Sequence, residues 1–309
     1  MKQVQVLLSS YNGEKYIKEQ IDSILAQRGV LIQLVVRDDG STDKTVEILK
    51  TYEEAHDNIR ILYGENRGVI KSFFTLIEEA EAAEYTAFAD QDDVWLPDKL
   101  YRAMEVLRKK QIQTEQKEAR LMPLVYCSAK QLVDEQLQPL PEGIRYGSVK
   151  PDFGNALVEN MCTGCTCVIN REMLQLLKGK APDFTVMHDF WVYLVGSCFG
   201  TVVYDTESYI LYRQHSGNEL GAASSLLENY KRRIKNFKKH RGQLTRQAEE
   251  LLRLYGNEMP EEKKRLAEEL VKAKKNRKIR RKLVKEGKVF RQRRSDDGIM
   301  KILLLLGLV

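Results

Sequence analysis

Three features of this 309-residue sequence predict an α/β fold with a mostly parallel sheet flanked by helices. Short apolar runs alternate with segments whose apolar residues recur every three or four positions, the pattern of strands joined by crossover helices. Two of the runs end in clusters of carboxylates. Charge also divides sharply: residues 1–220 hold 24 Lys+Arg against 33 Asp+Glu, and residues 221–309 hold 26 against 11. The net charge is therefore −9 followed by +15. This predicts one large α/β domain over residues 1–220 and a basic helical extension over 221–309, a length ample for a sizeable core.

The first strand is expected near residues 4–10, with a helix from Glu14 to Gln27. The second, near 31–37, carries Leu31-Ile-Gln-Leu-Val-Val36 and runs into Arg37-Asp-Asp-Gly-Ser-Thr-Asp43 before a helix from Asp43 to Tyr52. A third strand near 59–63 precedes a helix from Gly68 to Ala83. The fourth, near 85–90, reads Tyr85-Thr-Ala-Phe-Ala-Asp90 and closes in Asp90-Gln-Asp-Asp93, ahead of Pro97 and a helical run from Asp98 to Arg108. Beyond it the pattern predicts a strand near 124–131, a polar loop over 134–155, a strand of small residues at 163–169, a helix from His188 to Phe199 and a strand from Thr201 to Tyr212. There is no internal repeat before the basic tail.

Acids at two strand ends carry the chemistry. In open α/β sheets ligands lie beyond the carboxyl ends of the strands, and a hard cation such as Mg²⁺ or Mn²⁺ favours carboxylates together with phosphate oxygens. Asp92 or Asp93 could supply that bond, although Asp93 also stands where a helix cap would. Five cysteines, an odd number, fit a reducing compartment. Cys162-x-x-Cys165-x-Cys167 has no second ligand pair nearby, which argues against the four ligands of a structural zinc. The chain starts Met-Lys and passes directly into the first strand without a leader pattern, so a cytoplasmic location is expected.

In this order the motifs resemble those of family 2 glycosyltransferases, the inverting, nucleotide-sugar-dependent group with the GT-A fold. The matching pieces are Val4 to Glu14, Asp38-Asp-Gly-Ser-Thr-Asp43, Asn66-Arg-Gly68 with Lys71, and Asp90-Gln-Asp-Asp93 followed by Trp95, Pro97 and Lys99-Leu100. His188-Asp-Phe-Trp191 and Tyr212-Arg-Gln-His215, with Asn218 and Gly221, complete the set in a form typical of rhamnosyltransferase-like members. Singly each motif is weak, and their shared order makes the match strong. The resemblance implies a donor half over about 1–110 and an acceptor half over about 111–220.

It also implies roles. Asp189 would be the general base that deprotonates the acceptor, in an apolar setting supplied by Trp191 and its neighbours. Asp92 would hold the divalent cation, with His215 as a second ligand or diphosphate contact, Arg213 as a phosphate partner and Asp93 as a supporting or capping acid. Asp39 would accept a hydrogen bond from a pyrimidine N–H, Tyr11 would stack on the base, Asp90 would reach the ribose, and Glu14 and Lys71 would make weaker contacts to the nucleotide-sugar. The motif forms favour rhamnose from dTDP-rhamnose, with a UDP-hexose or UDP-N-acetylhexosamine as the alternative donor. The acceptor would be a glycan or lipid-linked oligosaccharide in bacterial cell-surface polysaccharide synthesis.

The basic run from Val271 to Lys285 precedes the apolar end Ile299 to Val309, eleven residues where a membrane-spanning helix needs about 20. Peripheral attachment to the anionic inner face of the membrane is therefore expected rather than a span. Nucleic-acid binding is disfavoured, since Tyr230, Phe237, Tyr255 and Phe290 are the tail's few aromatics for base stacking. Two other classes fit part of the pattern. A nucleotidyltransferase would also place acids and a metal on this rim but release pyrophosphate, and a non-catalytic surface-binding protein would leave Asp39, Asp92 and Asp189 unexplained.

Overall fold

The computed structural model describes residues 2–118, 121–141, 149–215 and 242–309; Asn218 and Gly221 of the closing motif lie outside them. Four parallel strands, β1 (Lys2–Ser10), β2 (Val30–Asp38), β3 (Ile59–Tyr63) and β4 (Tyr85–Ala89), lie in the order β3-β2-β1-β4. Helices α1 (Ile17–Leu25), α2 (Thr45–Ala55) and α3 (Val69–Glu79) connect them. Because both faces of a parallel sheet are covered, its strands read as continuous apolar runs rather than alternating ones. Leu34, Val35 and Val36 are all fully buried, as is every residue of β4.

The sheet then continues to eight strands, in the order β4-β7-β6-β8-β5 beyond the parallel half. β5 (Val94–Trp95) is a two-residue strand antiparallel to β8. α4 (Lys99–Glu118) extends past the expected Arg108. β6 (Leu124–Val133) pairs parallel with β8, and between them in sequence come α5 (Phe153–Ala156), β7 (Val168–Asn170), α6 (Arg171–Leu177) and α7 (His188–Phe199). β8 (Thr201–Arg213) closes this part of the chain.

Three sequence expectations need correction. The run expected as a strand over 163–169 is a 3-10 turn, Gly164–Thr166, followed by the short β7. Small side chains let its backbone curl instead: Thr166 Oγ1 donates to the Thr163 carbonyl at 2.7 Å. The 134–155 stretch is not all loop, since Asp152 accepts from the Gly154 N–H at 2.8 Å and caps α5. Finally, α1 begins at Ile17 rather than Glu14, because Tyr16 N–H bonds the Gly13 carbonyl in a preceding turn.

Two compact units result. The first comprises Met1–Gly143, Met161–Ala181 and Met187–Arg213, and the second Ile144–Asn160, Pro182–Val186 and Gln214–Val309. The core of the first joins Val4, Val6 and Leu8 of β1 to Ile17, Ile21 and Ile24 of α1 and to Leu100, Ala103 and Leu107 of α4. In the second, α8 (Gln243–Tyr255), α9 (Glu261–Ala273), α10 (Arg277–Glu286) and α11 (Arg294–Leu306) bury Leu251, Leu270, Leu283 and Leu304. Among the described residues no helix is long and apolar enough to cross a membrane.

Candidate active site

The carboxyl ends of β1, β2 and β4 meet along one rim. Gln91, one residue into the acidic segment after β4, clasps the loop after β1: its Oε1 accepts from Ser10 Oγ at 2.9 Å and from Tyr11 N–H at 2.7 Å, and its Nε2 donates to the Tyr11 carbonyl at 3.0 Å. Tyr11 is thereby held on the rim with its side chain 45% exposed. Glu14 accepts from the Lys44 N–H at 2.9 Å while Asp43 accepts from the Glu14 N–H at 3.0 Å, so this pair ties the β1 loop to the start of α2.

At the end of β2, Asp38 accepts from the Gly40 and Ser41 N–H groups and shapes the turn. Asp39 is 2% exposed and already holds three donors: the Arg37 guanidinium, the Arg67 N–H at 2.9 Å and the Gly68 N–H at 2.8 Å. A carboxylate has about four lone-pair sites, so one remains for a ligand donor. Lys71, on the first turn of α3, is exposed.

Beyond β4 the acids crowd. A carboxylate oxygen each from Asp90 and Asp93 and the thiol of Cys165 lie within 4.8 Å of one another. Burial, then the charges of Asp93, Asp92 and Asp189, push Asp90 well above the ordinary carboxylate range. Burial and then Asp92 push Asp93 up to about 7. Lys130 on β6 opposes both shifts and lies 3.9 Å from the Tyr212 ring centre. Asp93 Oδ1 accepts from the Arg213 N–H at 3.1 Å, whereas its buried Oδ2 has no hydrogen-bond partner. An unpartnered buried oxygen amid mutually repelling carboxylates is a donor set that a divalent cation fits, because the cation removes the repulsion and hard cations take oxygen ligands.

Across the rim, α7 presents Asp189 in its first turn, 9% exposed, with Oδ2 accepting from the Gly164 N–H at 2.8 Å. Gly164 permits this approach: a Cβ there would stand 2.7 Å from His188 Nε2. His188 stacks on Phe73 with ring centres 3.7 Å apart. Its nitrogens have no hydrogen-bond partner, and burial pushes it down to about 3.

Residues 5–176 match the family model described as glycosyl transferase family 2. The chain belongs to that family. This glycosyltransferase is 30% identical over 237 residues to the dTDP-rhamnosyl transferase RfbG of Shigella flexneri, covering 73% of its own length and 77% of the relative's. Its fold is GT-A-like: a solved structure of S. aureus TarS in complex with UDP-GlcNAc superposes with a TM-score of 0.58 over 88% of this chain and 71% of that one, at 18% identity. The Pyrobaculum calidifontis mannosyltransferase PcManGT, solved with GDP-Man and Mn²⁺, gives 0.51 over 89% and 71% at 17% identity.

The glycosyltransferase gathers most of the sequence-nominated residues onto this rim, with changed surroundings for several. Arg213, nominated for phosphate, is 2% exposed; its guanidinium donates to the Asp92 carbonyl at 2.8 Å, the Glu135 carbonyl at 2.5 Å and the Glu19 carboxylate, so a phosphate would have to displace one of these. Trp191 is fully buried in the core. Asp93 caps no helix and lies ahead of β5. The converging trio is Asp90, Asp93 and Cys165, while Asp92 is half-buried and His215, two residues past β8, is not a member of it.

Sequence reasoning placed Gln91 and Lys99 in the acidic motif without giving either a role, and it missed Lys130. A lone lysine inside the apolar run of β6 was the available signal for Lys130. Lys99 is fully enclosed, its Nζ 3.6 Å from the Trp95 ring centre, and burial pushes it down to about 8. The sequence reading set Cys162-x-x-Cys165-x-Cys167 aside as a metal site, yet the Cys165 thiol lies within 4.8 Å of a carboxylate oxygen of both Asp90 and Asp93.

Proposed function

We propose that this glycosyltransferase inverts the anomeric carbon of a nucleotide-sugar with the help of a divalent cation, transferring the sugar to a hydroxyl of a glycan or lipid-linked oligosaccharide. The observation that carries the reading is a shared turn: Asp189 accepts from the Gly164 N–H at 2.8 Å, and the thiol of the next residue, Cys165, lies within 4.8 Å of carboxylate oxygens of Asp90 and Asp93, so the candidate base and the acidic cluster share one rim. Inversion needs such an arrangement, with the base on the acceptor side and the diphosphate leaving from the other.

In this proposal Asp92, with Asp90 and Asp93 beside it and His215 as a further candidate, would hold Mg²⁺ or Mn²⁺, which would supply charge neutralisation for the departing diphosphate. Asp189, oriented by the Gly164 N–H, takes the acceptor proton. Tyr11 stacks on the base, the last lone pair of Asp39 accepts the pyrimidine N–H, and Lys71 and Glu14 border the donor. Arg213 positions the acidic segment through the Asp92 carbonyl and the Asp93 carboxylate. Similarity to RfbG, a dTDP-rhamnosyl transferase, supports dTDP-rhamnose as donor, while the UDP-GlcNAc held by TarS makes a UDP-N-acetylhexosamine the alternative; bacterial cell-surface polysaccharide is the product class proposed from the motif forms. Work on a lipid-linked acceptor would place the enzyme at the inner face of the membrane, in the cytoplasm.

The test is donor binding and metal-dependent turnover across dTDP-rhamnose, UDP-glucose, UDP-galactose and UDP-N-acetylglucosamine, with Asp92→Asn and Asp189→Asn beside the wild type. Asp92→Asn is expected to lose metal-dependent donor binding. Asp189→Asn should keep donor binding and lose about 10²–10⁴-fold in transfer rate. Full turnover by either variant would overturn the assignment of that residue.

A further inference from the structure

We propose that the outward face of α11, together with the cationic turn between α9 and α10, docks on an anionic lipid bilayer. This surface lies entirely within the second unit, and its test does not depend on the sugar-transfer reading.

Ile299, Ile302, Leu305 and Leu306 follow i, i+3, i+6, i+7 spacing, so they form one stripe along α11. They are 47%, 58%, 43% and 59% exposed, while Met300 and Leu304 on the opposite side are 2% exposed. At 13 residues the helix is about 20 Å long by its rise, too short to span the roughly 30 Å hydrocarbon layer and well proportioned to lie in its interface.

The cations stand at the end of that stripe. Arg280 donates to the Ala273 carbonyl at 2.6 Å and the Lys274 carbonyl at 2.7 Å, and its other nitrogen reaches the Leu305 carbonyl at 3.5 Å. One side chain thus joins the turn to the C-terminal end of α11. Gly307 makes room for it, since a Cβ there would stand 2.2 Å from the guanidinium. On and just after the turn, Lys274, Lys275, Arg277, Lys278 and Arg281 are exposed, and no described acid pairs with them. Their neighbours Lys272, Lys282 and Lys288 are paired, with Glu268, Glu269 and Glu262.

Unpaired cations beside an exposed apolar stripe match a surface that presents phosphate charge above hydrocarbon. A nucleic acid would satisfy the charge and leave the stripe in water. A twofold second copy would cover the stripe while bringing a like set of cations close to the first, and four side chains are small beside the roughly 800 Å² per partner of a stable interface.

The experiment is vesicle co-sedimentation of the full chain with phosphatidylcholine alone and with phosphatidylcholine containing phosphatidylglycerol, at low and high salt. Compared are wild type, Ile302→Ser/Leu306→Ser, and Lys278→Gln/Arg281→Gln, each checked for wild-type helicity by circular dichroism. Selective, salt-sensitive binding to the anionic vesicles is expected, reduced about tenfold or more by either double variant. Binding unchanged in the Ile302→Ser/Leu306→Ser protein overturns the proposal. So does absence of vesicle binding by a wild type that light scattering shows to be an oligomer dissolved by the same substitutions.

Discussion

His188 stacks on Phe73 with no hydrogen-bond partner on either nitrogen, and that isolation has a measurable signature. Burial holds its folded-state pKa at about 3, below the ordinary 6.5, so the unfolded chain binds the proton more readily. Its contribution to stability is complete above pH 6.5 and is lost as pH falls toward 3. Between pH 7.5 and 5 the wild type should therefore lose about 2 kcal/mol more than His188→Phe in urea unfolding. Parallel curves would show the imidazole to be solvated. At this scale the sequence was a partial guide. It nominated Asp189 beside His188 by motif, but only packing shows that His188 is an apolar stacking partner and that Gly164 orients the neighbouring carboxylate.

At the scale of elements, β8 governs the acidic segment after β4. Arg213, its last residue, reaches both the carbonyl of Asp92 and the carboxylate of Asp93, and also bonds Glu19 on α1 and lies 4.6 Å from the Tyr16 ring centre. Arg213→Ala should cost about 1–3 kcal/mol, because it leaves the part-buried Asp92 and Glu135 carbonyls without their donor while the backbone N–H keeps its bond to Asp93; Glu19, half exposed, adds little. If the role is positioning, thermal melts will show that loss, and kcat will fall in protein confirmed as folded while donor KM changes less. A large rise in KM with kcat retained would instead mark Arg213 as a direct phosphate contact. The strand pairing behind this clamp was hidden in sequence, since the Arg213 and Asp93 positions are 120 residues apart. The parallel strands and their helices were legible because burial on both faces imposes continuous apolar runs. The 3-10 turn at Gly164–Thr166 was not, because small residues read as strand or turn alike and their neighbours decide.

For the whole molecule, three strand ends and α7 bring acids together in a way that burdens the cation-free protein. Asp90 and Asp93 both titrate above their ordinary range, Asp93 at about 7, so the folded state holds their protons more tightly than the unfolded chain does. Their contribution is fully present below about pH 4 and is lost as pH rises through 7. Mn²⁺ should relieve that loss: the rise in Tm on adding Mn²⁺ is expected to be several degrees larger at pH 8 than at pH 5.5. Equal shifts at the two pH values would separate cation binding from these carboxylates.

The sequence by itself determined the alternating α/β order, the family and the division of charge between a net acidic front and a basic tail. Those properties reside in local periodicity, short motifs and composition, each readable within a few residues. Tertiary structure alone decided which groups meet: Asp90 with Asp93 and Cys165, Arg213 with the acidic segment, Lys130 facing the acids, and the exposed stripe of α11 beside unpaired cations. Such meetings depend on strand order and on the direction each side chain takes from its backbone, and neither is carried by the residues near it in the chain.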